Sequence, residues 1–192
     1  TYTVAGTGGC ANATSTATVT VTAAPSAGTI SGTTAICSNG TSTLSSSVTG
    51  GAWSSATPAV ATINASTGAV TGVAAGTSVI TYTITGTGGC ADATATTTVT
   101  VTALPSIPTA TATQPTCAVT TGTITFATQT GIQYSVGGAY QASNSFATLA
   151  AGTYPISVRN IADNTCITTG TSITLNAALG APAAPTASVT TQ

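Results

Sequence analysis

Residues 1–22 read TYTVAGTGGCANATSTATVTVT, and residues 81–102 read TYTITGTGGCADATATTTVTVT; 17 of the 22 positions are identical. A near-copy at a fixed offset makes the chain a string of units and not one continuous domain. The later copy reads as the close of a unit that begins near Ala23, so the earlier copy reads as the close of a preceding one. A complete unit is therefore expected over 23–103. Leu104-Pro105-Ser106-Ile107-Pro108 then interrupts the pattern and marks a boundary. A second unit of different sequence is expected over 104–181, and residues 182–192 restate its Pro- and Thr-rich opening, as the start of a following repeat or a linker. On the same reading, residues 1–22 are C-terminal strands of a preceding repeat, or donor strands to a neighbour.

The units themselves read as β-structure. Apolar residues recur in alternating runs such as Ile80-Thr81-Tyr82-Thr83-Ile84. Period two with β-branched residues is the signature of a half-buried strand. Turn signals separate the runs: Ser38-Asn39-Gly40, Thr49-Gly50-Gly51, Ser66-Thr67-Gly68 and Gly137-Gly138. No segment shows a helical period with caps. Strands are expected near 28–31, 41–48, 51–54, 59–63, 69–73, 77–85 and 93–102, and in the second unit near 120–127, 132–136, 145–149, 153–159 and 167–175. About seven short strands in a unit of this length fit a β-sandwich. The expected fold class is all-β, as tandem immunoglobulin-like β-sandwich repeats.

Composition narrows function by exclusion. Charged residues make up 2% of the chain, against roughly 25% in an ordinary globular protein. There is no Lys, Glu, His or Met, and the charges are Asp92, Asp163 and Arg159. Catalysis needs titratable groups placed together, and two carboxylates in different units do not supply them. No enzyme and no cofactor is expected. One Arg makes no nucleic-acid surface. No run of about 18 apolar residues exists, so no membrane insertion is expected. GTGG at 6–9 and 86–89 stands between strands, which is not the setting of a phosphate loop. A near-neutral surface with strand edges that lack Lys favours association, so copies of the chain or neighbouring repeats are the expected partners.

Five cysteines stand at 10, 37, 90, 117 and 166. Cys10 matches Cys90 in the repeat. Cys37 and Cys90 then remain to pair within the first unit, and Cys117 and Cys166 within the second. Cys10 is left as an unpaired or inter-repeat cysteine. Two such bridges point to an oxidising compartment. A zinc site fails on spacing, because no C-x-x-C and no His is present. In a chain-entropy treatment the loop from Cys37 to Cys90 contributes on the order of 4 kcal/mol.

WSSATPAVATINASTGAVTGVAAGTSVITYTITG at 53–86 resembles the group 2 bacterial immunoglobulin-like repeat, whose V-T-G-V-x-A-G-T-x-x-I-T-Y close is present at 70–82. QPTCAVTTGTITF at 114–126, YSVGGAYQASNSFATLAAGTYPISVRN at 134–160 and Cys166 are similar to repeats of very large surface proteins of gliding Bacteroidota, the SprB-type adhesins. Together these resemblances cover about 23–181. They imply secretion to the cell surface by the type IX route and a structural role as a stalk or filament segment. The alternative they imply is an adhesin module that binds glycan or a substratum, with Tyr134 and Tyr140 as the ligand-facing aromatics. By analogy with immunoglobulin-like sandwiches, Trp53 is expected to pack against a disulfide. Arg159 and Asp163 flank a turn and are expected to pair across it.

Overall fold

In a computed structural model, residues 1–178 and 180 are described. The expected restart over 182–192 lies outside them. The described residues are all-β, with no helix. The chain opens with an isolated hairpin of β1 (Tyr2–Val4) and β2 (Ala13–Ser15), Tyr2 opposite Ser15 and Val4 opposite Ala13.

The first unit holds β3 (Ile30–Ser31), β4 (Ala35–Cys37), β5 (Thr41–Thr43), β6 (Ser45–Ser46), β7 (Ala52–Ser55), β8 (Ala61–Ile63), β9 (Ala69–Gly72), β10 (Gly76–Ile84) and β11 (Ala93–Thr102). One sheet runs β4-β11-β10-β7 and the facing sheet β5-β9-β8, with a small β3-β6 pair beside them. The long β10–β11 hairpin is in register from Gly76 opposite Val101 to Ile84 opposite Ala93. β4 joins β11 in parallel, with Cys37 opposite Thr102. Alternation decides what is buried: Ser78, Ile80 and Tyr82 on β10 and Val99 and Val101 on β11 face inward, and Thr77, Thr98 and Thr100 face out. Those apolar side chains meet Ile36, Leu44, Trp53 and Val70 from the other strands in a single core, which makes the unit a β-sandwich. Trp53 stacks on Tyr82 with ring centroids 4.6 Å apart. The Tyr82 hydroxyl donates to the Val48 carbonyl at 2.9 Å and accepts from the Gly51 N–H at 2.8 Å. Trp53 is thus a core residue, but its partner is a tyrosine and not the disulfide that analogy suggested.

The second unit holds β12 (Ala110–Thr113), β13 (Gly122–Phe126), β14 (Ile132–Ser135), β15 (Ser145–Leu149), β16 (Gly152–Tyr154), β17 (Ser157–Asn160), β18 (Ile167–Thr169) and β19 (Ile173–Leu175). Its sheets are β12-β13-β15, β14-β17-β18 and β16-β19. Ile124, Phe126, Tyr134, Val158 and Leu175 lie at the centre of its core. The single strand expected over 153–159 is two strands. Pro155 has no N–H for a ladder, and the chain changes sheets there, from β19 as partner to β14 and β18. The strand expected over 167–175 divides in the same way near Gly170, into β18 and β19.

The two copies of the repeat differ in burial although they barely differ in sequence. Tyr82, Val99 and Val101 are 4%, 0% and 2% exposed, whereas Tyr2, Val19 and Val21 are 72%, 85% and 89% exposed. The second copy packs its inward side chains into the core of the first unit.

Candidate functional site: the junction of the two units

The junction is built from two tight turns. On the first unit, the parallel pairing of β4 with the end of β11 carries Cys37 to the boundary. Ser38 N–H donates to the Thr102 carbonyl at 2.8 Å, and Gly40 N–H closes the turn on the Cys37 carbonyl at 2.9 Å. Asn39 takes φ 63°, a left-handed conformation that Asn tolerates better than most residues. The Ser38 hydroxyl accepts from Leu104 N–H at 3.1 Å and so pins the start of the linker. On the second unit, the β17–β18 turn carries Cys166. Cys166 N–H donates to the Asp163 carbonyl, and Asn160 N–H to the Cys166 carbonyl, each at 3.0 Å. The Asn160 side-chain amide reaches across to the Ala103 carbonyl at 3.2 Å.

Cys37 and Cys166 are joined as a disulfide, with Cα atoms 5.5 Å apart. Both expected pairings are therefore corrected. Cys90 lies in the β10–β11 turn and Cys37 beside Thr102 at the other end of that ladder. Nine residues of strand separate the two ends, on the order of 30 Å at the usual rise, where a disulfide tolerates about 7 Å between Cα atoms. Cys117 lies beyond Thr113, at the end of the second unit where Gln114 bonds Thr174 and Asn176. Cys166 lies at the opposite end, against Thr102 and Cys37. The two cysteines of the first unit are therefore out of each other's reach, and in the second unit Cys166 is already committed to Cys37 across the junction. Cys10 is an exposed free thiol. Cys90 is also free, with its sulfur 3.7 Å from the Thr22 carbonyl. A non-reduced peptide map should show a fragment containing Cys37 linked to one containing Cys166. A fragment linking Cys37 to Cys90 would refute the pairing.

The remaining candidate residues have structural partners. Tyr134 was expected to face a ligand and is instead 2% exposed, in contact with Phe126, its hydroxyl accepting from Gln129 N–H at 2.8 Å. The alternation of β14 turns it inward together with Ile132. Tyr140 is half-buried, bonded to the Ser157 hydroxyl at 2.9 Å and covered on one face by Arg159 at 4.5 Å. Arg159 donates to Gln133 at 2.7 Å and does not pair with Asp163. Asp92 accepts from Gly86 N–H at 2.8 Å, as Asn12 does from Gly6 N–H at 2.9 Å in the first copy. Both cap the same turn.

Asp163 is the one ionisable side chain at the junction. It accepts from the Thr165 hydroxyl at 2.6 Å and the Thr165 N–H at 3.0 Å. The hydroxyl bond chiefly, and then the N–H bond, hold its carboxyl below the usual carboxylate range, with a small opposing effect of burial. A depressed folded value means that the contribution to stability is complete above the ordinary Asp value and is lost as pH falls through the folded one. With so few ionisable groups elsewhere, the denaturant midpoint should be nearly flat between about pH 5 and 8 and fall only in stronger acid. A titration step near neutrality would contradict this. Cys37, Asp163 and Cys166 are also the one grouping of three potential metal ligands among the described residues, their ligand atoms within 4.8 Å of one another. Both sulfurs are committed to the disulfide, and a disulfide sulfur is no thiolate ligand. A cavity of about 360 Å³ opens beside the bond, lined by Thr33, Ile36, Cys37, Gly40, Thr41 and Thr165. Its lining has hydroxyls and one spent sulfur but neither a base nor an activated nucleophile.

No family model matches the chain, and no curated protein does. Among solved structures the chain is similar to surface layer protein SbsC. The fragment of its domains 1–6 is 18% identical, with 75% of this chain and 24% of that one covered and a TM-score of 0.33. Domains 4 and 5 give 18% identity over 72% and 83% of the two chains, TM-score 0.33, and domains 4–9 give 20% over 77% and 27%, TM-score 0.32. This chain spans about a quarter of the length of the two larger fragments. At so low an overlap the likeness carries no argument about activity or partners.

Proposed function

We propose that this chain is a structural stalk or filament segment of a secreted, repetitive bacterial cell-surface protein. The observation that carries this reading is the junction: two β-sandwiches fastened by a covalent bond between Cys37 and Cys166. A bond placed between modules holds geometry under load and does no chemistry. The disulfide favours an oxidising compartment, and the motif resemblances favour a bacterial surface, with type IX export as the route that the SprB-type resemblance adds. The near-neutral surface favours association with neighbouring repeats or other copies. Residues 1–22 fit the same picture. They present Tyr2, Val19 and Val21 to solvent, and the equivalent side chains of the second copy, Tyr82, Val99 and Val101, are covered by the first unit. The adhesin alternative has lost Tyr134 to the core, and no observation favours it.

The test is immunogold labelling of intact source cells with antibodies raised against the folded chain. Extended fibres labelled at the cell surface are the expected result. Labelling that appears only after lysis would overturn the proposal.

A further inference from the structure

We infer that the Cys37–Cys166 disulfide is a force bypass: tension along the chain enters at residue 37 and leaves at residue 166, so that the chain between them, which carries most of both hydrophobic cores, cannot be drawn out. The inference deepens the stalk reading, but its test is made on the isolated chain and stands or falls apart from cellular location.

The sequence separation of the bond is 129 residues, so the covalent loop encloses residues 38–165. Most core residues are inside it: Leu44, Trp53, Val70, Ile80 and Val99 of the first unit, and Phe126, Tyr134 and Val158 of the second, while Ala27, Ile36 and Leu175 lie on the loaded segments outside. Pulling on the chain from outside the loop cannot lengthen anything within it while the bond holds. Enclosed chain of this length would extend by about 430 Å if freed, at roughly 3.3–3.6 Å per residue. In a conventional tandem array the same tension would pass through β11 into the linker and then β12, and either core could be pulled open.

Such a bypass is as durable as its bond, and the junction protects that bond. Cys166 is fully buried, while Cys37 lines the open cavity and is the sulfur a reductant reaches. Attack there by a small thiolate forms a mixed disulfide on Cys37 and expels Cys166 as a thiolate, which takes up a proton. A second thiol then releases Cys37 and leaves the small molecule as its own disulfide. Thiolate arrives and thiolate departs beside Asp163, whose carboxylate lies within 4.8 Å of both sulfurs. Like charge at that distance opposes both events. One of the two acidic side chains in the whole chain is therefore placed where it slows reduction.

The experiment has two arms. The full chain, held between inert handle domains, is stretched with and without a small dithiol. Oxidised protein should never release the enclosed length, and reduced protein should release it, about 430 Å in all. Cys37→Ser should release it without reductant, and the reduced wild type serves if that variant misfolds. Full release from oxidised protein would overturn the inference. In the second arm, thiol labelling follows reduction by a small anionic thiol. Asp163→Asn, which keeps an acceptor for Thr165, should be reduced about fourfold faster, and the difference should shrink at high salt. Equal rates would remove Asp163 from the account and leave the bypass to the first arm.

Discussion

Replacing Tyr82 with Ala is expected to destabilise the first unit by about 3–5 kcal/mol, whereas Tyr2→Ala, in almost the same local sequence, should change stability by less than about 0.5 kcal/mol. Tyr82 stacks on Trp53 at 4.6 Å, lies in the core, and satisfies both the Val48 carbonyl and the Gly51 N–H through one hydroxyl. Truncation removes the ring contact, leaves a cavity beside the indole and strands two backbone groups. Tyr2 is 72% exposed and has none of these partners. Trp53 is the sole tryptophan of the chain and sits in that core, so its fluorescence during guanidinium unfolding reads the first unit directly. The milder pair, Val99→Ala against Val19→Ala, should show the same contrast at smaller scale. Equal effects at Tyr2 and Tyr82 would mean that the N-terminal hairpin is packed in solution, and the comparison would then locate its partner.

That contrast also shows what the sequence could and could not reveal. Alternation on β10 and β11 told which side chains face inward, and in the second copy they do. It could not tell whether a facing sheet exists, because burial belongs to the pair of sheets and not to the strand. Short strands escaped notice for a related reason. Ala35–Cys37 holds three residues between turn formers, and its identity as a strand comes from the parallel pairing with β11. The sheet change at Pro155 was hidden because Tyr154 and Ile156 continue an apolar alternation across it. The disulfide error had the same origin. Composition showed that the cysteines belong to an oxidised protein, but pairing depends on which pole of a sandwich each one occupies. The one available signal was the length of the β10–β11 hairpin. A run from Ala93 to Thr102 places Cys90 far from the boundary, so any cysteine near Thr102 had to look to the next unit.

Loss of the junction bond should be the larger perturbation of the whole chain. In the chain-entropy treatment a loop of this size restricts the unfolded state by about 5 kcal/mol. The distribution of that loss follows from the topology. When the second unit unfolds alone, residues 103–165 become a loop pinned at both ends to the folded first unit, through the chain at Thr102 and through Cys37. When the first unit unfolds alone, the second restrains it in the same way. Each module therefore raises the stability of the other while the bond is intact, although the two cores share no buried residue. A Cys37→Ser, Cys166→Ser chain should accordingly unfold at lower denaturant and in two separable steps, with Trp53 fluorescence following one and circular dichroism following both. Wild type reduced after unfolding and refolded with its thiols kept free under reductant should behave as the double variant does, which separates the covalent effect from the Cys-to-Ser change at the buried Cys166. An unchanged midpoint in both preparations would mean that the non-covalent contacts of Asn160 with Ala103 and of Ser38 with Leu104 already hold the modules together. The bond would then govern the response to force and leave equilibrium stability untouched.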